Sequence, residues 1–335
     1  MEPGVPQIRV LGPADVDTLN AFLERHADSS LFLRSNLRTA GIVDRGQPFQ
    51  ATYVGAVDGD LVGVAAHCWN GNVLVQAPAS LEAVVCAAVE RTGRHVRGIV
   101  GPWAQLCAAR RALSMQDRRA RMESHDQLFG LALADLVRPP ALDAPGVRCR
   151  PTRTSDLDLV TRWRVAYSVE ILGATENDAL RSESRTDMER MHAIGSGWLL
   201  EREGTPVAFS GFNARLPDVV QIGGVFTPPA ERRRGWARAA VAGSLAAVAA
   251  AGVRRAILFT GEENVAALRA YEAIGFRVIG DYACCSFEAT QPPRSRAAPP
   301  SRVARGTPGS APAPPPPRPT PPAGRAAAPP APPAR

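Results

Sequence analysis

The stretch from Val219 to Phe276 limits the possible folds more than any other part of the chain. It opens with an apolar run, Val219-Val220-Gln221-Ile222-Gly223-Gly224-Val225-Phe226. A basic loop follows, Glu231-Arg232-Arg233-Arg234-Gly235-Trp236-Ala237. An Ala/Val-rich segment runs from Arg238 to Ala251, and a second apolar run, Ala256 to Thr260, leads into Asn264 to Phe276. The apolar runs are short and bounded by turn signals, so they suit buried strands. The Ala-rich segment and Asn264 to Ala273 suit helices. The order is strand, basic loop, helix, strand, helix, which belongs to the α/β (α+β) class.

The loop carries the chemistry. A helix that begins at Gly235-Trp236 leaves its first backbone N–H groups without partners, and with the positive end of the helix dipole they form an anion site. Gly235 lets the backbone approach a ligand, Ala237 keeps the first turn uncluttered, and Arg232, Arg233, Arg234 and Arg238 add positive charge. A pyrophosphate fits such a site. On the loop alone, a solvated surface turn is an equal reading.

The sequence beyond the loop decides between them. Arg232-x-x-Gly235-x-Ala237 resembles the acetyl-CoA loop of the GCN5-related N-acetyltransferases (GNATs), and Asn264-x-x-Ala267-Leu268-x-x-Tyr271-x-x-x-Gly275-Phe276 resembles a later motif of that family. The whole chain is similar to two-domain bacterial members of it, through Leu33-Arg34-Ser35-Asn36-Leu37-Arg38 and Trp69-Asn70-Gly71. The resemblance implies tandem mixed sheets flanked by helices. The pantetheine arm of acetyl-CoA would lie beside Val225, Phe226 and Thr227, and amides from Arg233 to Arg238 would hold the pyrophosphate. Asn264 would contact the cofactor, and Tyr271 would face the thioester sulfur. Ala237 stands where Gly is frequent, and Pro228-Pro229 stiffens the approach.

Turn signals divide the rest of the chain. Strands are expected at Gln7–Leu11, Ala51–Val57, Leu61–Trp69, Val73–Gln76, Val96–Val100 and Gln127–Asp135. Helices are expected at Pro13–His26, Leu31–Thr39, Leu81–Arg91 and Trp103–Leu113. This repeats the element order of the second half, but Ala77-Pro78-Ala79-Ser80 replaces the basic loop. Residues 1–137 therefore read as a degenerate copy without a CoA site, 138–146 as a Pro-rich linker, and 147–290 as the acetyltransferase half. In that half, helices are expected at Leu157–Ile171 and Ser182–Ile194 and strands at Val147–Arg150, Gly197–Glu201 and Pro206–Phe212. Arg277–Tyr282 and Cys284–Glu288 close the sheet.

Residues 291–335 are Pro, Ala, Arg, Gly and Ser with little else, so they are expected to be disordered with polyproline II character. They read as a solvated extension, or as a segment that docks on an SH3-like partner or an acidic surface. The formal net charge is +7, and this segment holds seven arginines and no acid. The remainder is near neutral, so the charge does not point to nucleic acid. Every basic residue is arginine. The six cysteines form no Cys-x-x-Cys pair and have no histidine at ligand spacing, so no metal is expected. No leader or membrane span is evident, which gives a cytoplasmic expectation.

The expected function is transfer of acetyl from acetyl-CoA to a small-molecule or peptide amine by direct attack on the thioester. A non-catalytic acyl-CoA-binding sensor or scaffold is the alternative. An alkylammonium has a pKa of about 10.4, so roughly one in a few thousand is neutral at pH 7 and a base is required. A thiolate whose thiol has a pKa of about 8.5 takes a proton from a tyrosine of pKa about 10 only at a cost of about 2 kcal/mol, which makes Tyr271 a hydrogen-bond donor to the thiolate rather than a full acid. Tyr271 also reads as a core aromatic. The strand Val219–Phe226 holds no carboxylate. Glu170, Glu176, Asp178, Glu201 and His192 lie in regions suited to a base, though each also reads as a solvated residue, and a water chain would serve equally. Cys284-Cys285 reads as packing rather than a nucleophile, and His67 and His125 as structural.

Overall fold

The computed structural model describes residues 5–287, and the extension expected from Gln291 onward lies outside them. The first half runs β1 (Gln7–Val10), α1 (Val16–Arg25), α2 (Leu31–Ala40), β2 (Ala51–Asp58), β3 (Asp60–Cys68), β4 (Asn72–Gln76), α3 (Leu81–Thr92), β5 (Gly98–Gly101), α4 (Trp103–Ala112) and β6 (Ala120–Ala132). The second runs β7 (Val147–Pro151), α5 (Leu157–Glu170), α6 (Asp178–Ala193), β8 (Gly197–Arg202), β9 (Thr205–Arg215), β10 (Val219–Phe226), α7 (Trp236–Ala250), β11 (Arg255–Gly261), α8 (Val265–Glu272) and β12 (Arg277–Phe287). The Asp58-Gly59-Asp60 turn closes the β2–β3 hairpin with Gly59 at φ +68°, a conformation that suits glycine.

All twelve strands join one mixed sheet in the order β1-β2-β3-β4-β5-β12-β6-β11-β10-β9-β8-β7. The last strand of each half has crossed over. β6 pairs antiparallel with β11 through Arg255↔Ala132 to Gly261↔Asp126, and β12 pairs antiparallel with β5 through Ala283↔Gly101 to Ser286↔Gly98. β6 and β12 also pair with each other, from Arg277↔Gly130 to Phe287↔Ala120.

Alternation along the strands sorts the core into two faces. Leu128, Ile257 and Tyr282 share a cluster with Leu31 of α2, while Leu199 and Phe209 pack under α5 and α6. The residues between them, such as Phe129, Leu200, Ala256 and Leu258, pack on α7. α1, α2, α5 and α6 therefore cover one face, and α3, α4, α7 and α8 the other. α7 is buried almost all round, from Ala239 to Leu245, which explains why Arg238 and Ser244 are its only polar side chains apart from Trp236. Its Gly243 allows β7 to come close, since a Cβ there would lie 2.5 Å from Cys149 Cβ. One polar network is buried beneath α5. Arg150 donates from Nε to Glu201 at 2.8 Å and from Nη1 to Asp156 at 2.6 Å. The guanidinium holds the Asp156 carboxyl below the usual carboxylate range.

Candidate active site

The sheet parts in the middle of the second half. β10 and β11 pair in parallel at Val219↔Arg255, Val220↔Ala256 and Gln221↔Ile257, and then diverge. β10 keeps its antiparallel pairing with β9 but with irregular register beyond Gln221, and Gly224 takes φ +66° there. The β11-facing edge of Gly223 to Phe226 therefore has no ladder partner. Val225 is half-buried against the α7 cluster, and Phe226 is buried 6.0 Å from the Trp163 ring of α5. Two buried side-chain oxygens in this region, Gln221 Oε1 and Thr227 Oγ1, lack hydrogen-bond partners among the described residues.

The basic loop follows. Arg233 and Gly235 both adopt left-handed backbone, at φ +64° and +81°, and Gly235 is the N-cap of α7. Left-handed residues in such a turn let successive N–H groups converge on one concavity. The four arginines divide by contact. Arg232 donates to Thr227 O at 3.0 Å and grips both oxygens of Glu170 at 2.7 Å, so it braces the loop against α5. Arg234 pairs with Glu231 at 3.1 Å. Arg233 has no partner among the described residues, and the Arg238 guanidinium lies against Gly235. Trp236 is buried in the core and donates Nε1–H to Glu231 at 3.2 Å, leaving only its backbone amide toward the loop. Ala237 follows in the first turn of α7.

Asn264 caps α8, its Oδ1 accepting from Ala267 N–H at 3.2 Å. Tyr271 is on the same helix. It packs against the α7 cluster and makes an edge contact with Phe276 at 5.9 Å. Burial, and next the Tyr167 hydroxyl, push its pKa well above the ordinary tyrosine value. Tyr271 thus keeps its proton and presents a neutral donor.

The acids named in the sequence reading are engaged elsewhere. Glu170 is held below its usual range by Arg232, Glu176 and Asp178 both pair with Arg181 at 2.9 Å, and Glu201 belongs to the Arg150 network. His192 donates from Nδ1 to Thr152 O at 3.0 Å. Burial raises Cys284 to about 12 and Cys285 to about 11, so both remain thiols. His67 is buried against Thr92 at 2.6 Å, and His125 stacks on Trp103 at 4.3 Å.

One buried carboxylate was not singled out by the sequence. Asp126 of β6 is buried beside Gly261, the last residue of β11. It accepts from Ser124 Oγ at 2.8 Å, and burial raises its pKa. Residues 120–126 carry no apolar alternation, so nothing local marked them as a strand. On the same face, a cavity of about 650 Å³ is lined by both halves, including Arg38, Trp69, Asn72, Arg190, Asn213 and Arg215.

Residues 160–276 match the model of the acetyltransferase (GNAT) family. They form a GNAT domain. Family members use acetyl-CoA, and the parted strands, free edge and α7 N-terminus all lie within the matched residues. The chain is similar in fold to a protein from Drosophila, at 14% identity and TM-score 0.57, over 84% of this chain and 98% of that one. It is similar to GCN5-related N-acetyltransferases from Sphaerobacter thermophilus (18% identity, TM-score 0.52, covering 84% and 94%) and Kribbella flavida (18%, 0.51, 78% and 94%). A comparison with curated proteins found no match. In the first half, the turn before α3 differs from the GNAT loop. It has no arginine, and its Ala77 N–H is already bonded to Gln105 Oε1 at 2.7 Å.

Proposed function

We propose that this protein is an acetyl-CoA-dependent N-acetyltransferase whose cofactor lies between β10 and β11 of the GNAT domain. The observation that carries the reading is the parting of these strands beside a helix N-terminus that lacks acids in its first turn. The residues present fit the cofactor. The unpaired β10 edge at Val225 and Phe226, with Thr227 just beyond the strand and its orphaned Oγ1, suits the pantetheine amides. Backbone N–H groups from Arg233 to Arg238, with the Arg233 and Arg238 charges, suit the pyrophosphate. Arg232, Arg234 and Trp236 shape that loop through Glu170 and Glu231. Asn264 sets the start of α8 beside the cofactor.

Bound acetyl-CoA supplies an activated acyl thioester. Tyr271 donates a hydrogen bond where negative charge gathers on sulfur, a position in which a half-buried neutral donor is effective. The amine acceptor, a small molecule or peptide, reaches the site from the cavity between the halves. Its walls carry Arg38, Arg190 and Arg215 and no carboxylate, which suits an amine that also bears an anionic group. Residues 1–137 then act as a degenerate copy that shapes the acceptor side. The six unpaired cysteines fit a reducing compartment such as the cytoplasm, and no described helix is long and apolar enough to cross a membrane.

Calorimetric titration of acetyl-CoA into the full chain tests the reading. One saturable site is expected, weakened at least tenfold by Gly235→Val, because a β-branched residue is strained at φ +81°. Unchanged affinity in the variant would remove the loop from the site.

A further inference from the structure

The strand exchange brings a carboxylate from the first half to the gap of the second. We propose that Asp126, carried across the sheet by β6, is the general base that takes the proton of the acceptor ammonium. The proposal rests on the cofactor lying between β10 and β11.

Position comes first. Asp126 is in register with Gly261, beyond Ile257, where β10 leaves β11. It is two residues along β6 from Leu128, so it shares the face covered by α2 and α5. Tyr167 of α5 lies within electrostatic reach of both Asp126 and Tyr271. Cys284, a wall residue of the 650 Å³ cavity, lies within the same reach of Asp126, which links the base to the acceptor's approach.

Chemistry comes second. A buried carboxylate without a cation is costly, and proteins usually pair such groups. Every acid named from the sequence has an arginine partner, while Asp126 has a serine hydroxyl and no arginine among the described residues. The titratable groups around it are His125 on its own strand, Glu263 beyond β11, Tyr167 on α5, and Tyr282 and Cys284 on β12. Arg164 of α5 is the fixed cation beside Tyr167, 5.5 Å from its ring, and it pairs with Asp187 at 3.4 Å rather than with Asp126. Burial raises its proton affinity toward that of the amine, which is what a base for an ammonium requires.

The step balances. The Asp126 carboxylate takes one proton from the alkylammonium, leaving a neutral amine. The nitrogen lone pair attacks the thioester carbonyl carbon, so a C–N bond forms and the C–S bond breaks. The departing sulfur keeps the bonding pair and receives the second nitrogen proton as CoA thiol. Asp126 then returns its proton to water.

The test uses the full chain and Asp126→Asn. Acetyl-CoA affinity is measured by calorimetry, and CoA release is followed with ethylamine, a strongly basic amine, and with hydroxylamine, which is already neutral at pH 7. The variant should bind acetyl-CoA within about twofold, since Asp126 is not assigned to the cofactor. Its release with ethylamine at pH 7 should fall about 100-fold, and the gap should close toward pH 10 as the free amine deprotonates itself. With hydroxylamine the two proteins should agree within about threefold. Equal release with ethylamine, including release by neither, overturns the assignment. So does an equal loss with both amines, which would mark Asp126 as a structural residue. Absence of binding to the native protein overturns the cofactor reading, and this proposal with it.

Discussion

Tyr271 and Asp126 are both pushed toward the protonated form by burial, and the consequences differ because their charges differ. A tyrosine that holds its proton is a better fixed donor. An aspartate that must ionise in the same surroundings is held there at a cost. Tyr271→Phe removes one donor to the developing thiolate, and kcat for CoA release should fall about 10- to 100-fold with acetyl-CoA affinity unchanged. An unaltered kcat would reduce Tyr271 to the core aromatic that its contact with Phe276 also permits. For Asp126 the folded pKa lies above the unfolded value. Its neutral form favours the native state, and that contribution is lost as pH rises through the folded pKa. Asp126→Asn should therefore raise Tm at pH 7 by about 2–4 °C, the shift that about 1 kcal/mol gives in a large domain. The advantage should vanish below about pH 4, where the native carboxyl is protonated in both states. A calorimetric scan at the two pH values checks this.

Elements were legible where they carry their own period or punctuation. The α7 segment and the Asp58-Gly59-Asp60 hairpin sit where their residues place them, and α8 begins one residue after the expected Asn264, which caps it. β9 and β12 were not read fully. β9 was expected to end at Phe212, but pairing with β10 carries it to Arg215. The closing strand was expected in two pieces. It is one, Arg277–Phe287, because β6 pairs along it from end to end, with Val278 exposed yet paired and Ile279 skipped at a register shift. β6 itself was expected at Gln127–Asp135 and runs Ala120–Ala132, with a 3-10 turn at Leu133–Asp135. In each case a partner strand outside the local window decided the pairing. The basic loop and the α8 segment show as local patterns, whereas the pairing of β6 with β11 and β12, which sets Asp126 opposite Gly261, has no local signature. The Arg150 network also joins distant residues, and its loss can be stated quantitatively. Arg150→Met leaves Asp156 and Glu201 buried without their cation, which should cost about 3–5 kcal/mol at pH 7. Asp156 has a lowered folded pKa, so Arg150 supports it above the ordinary carboxylate range and less as pH falls. In denaturant titrations the deficit of the variant should shrink below about pH 4; a deficit independent of pH would assign the effect to packing alone.

At the scale of the molecule, the exchange of β6 and β12 makes each half incomplete without the other. In residues 147–335 alone, β11 would lose the partner it has along its whole length, Arg255 to Gly261, and β12 would lose both β5 and β6. One edge of β11, carrying Ile257, Leu258 and Phe259, and both edges of β12 would face solvent, which favours edge-to-edge association. The first half alone would be left with β5 and β6 exposed in the same way. The halves should therefore not behave as separate domains despite the Pro-rich linker between them. The second half expressed alone should be insoluble or elute as oligomers in size-exclusion chromatography. Fragments 1–146 and 147–335 expressed together should co-elute at the mass of one full chain, with acetyl-CoA affinity restored. If 147–335 alone is monomeric and binds acetyl-CoA with native affinity, the exchanged strand is dispensable for the cofactor site. In the same experiment, native CoA release from that fragment would deny Asp126 its role, because no residue of β6 would be present.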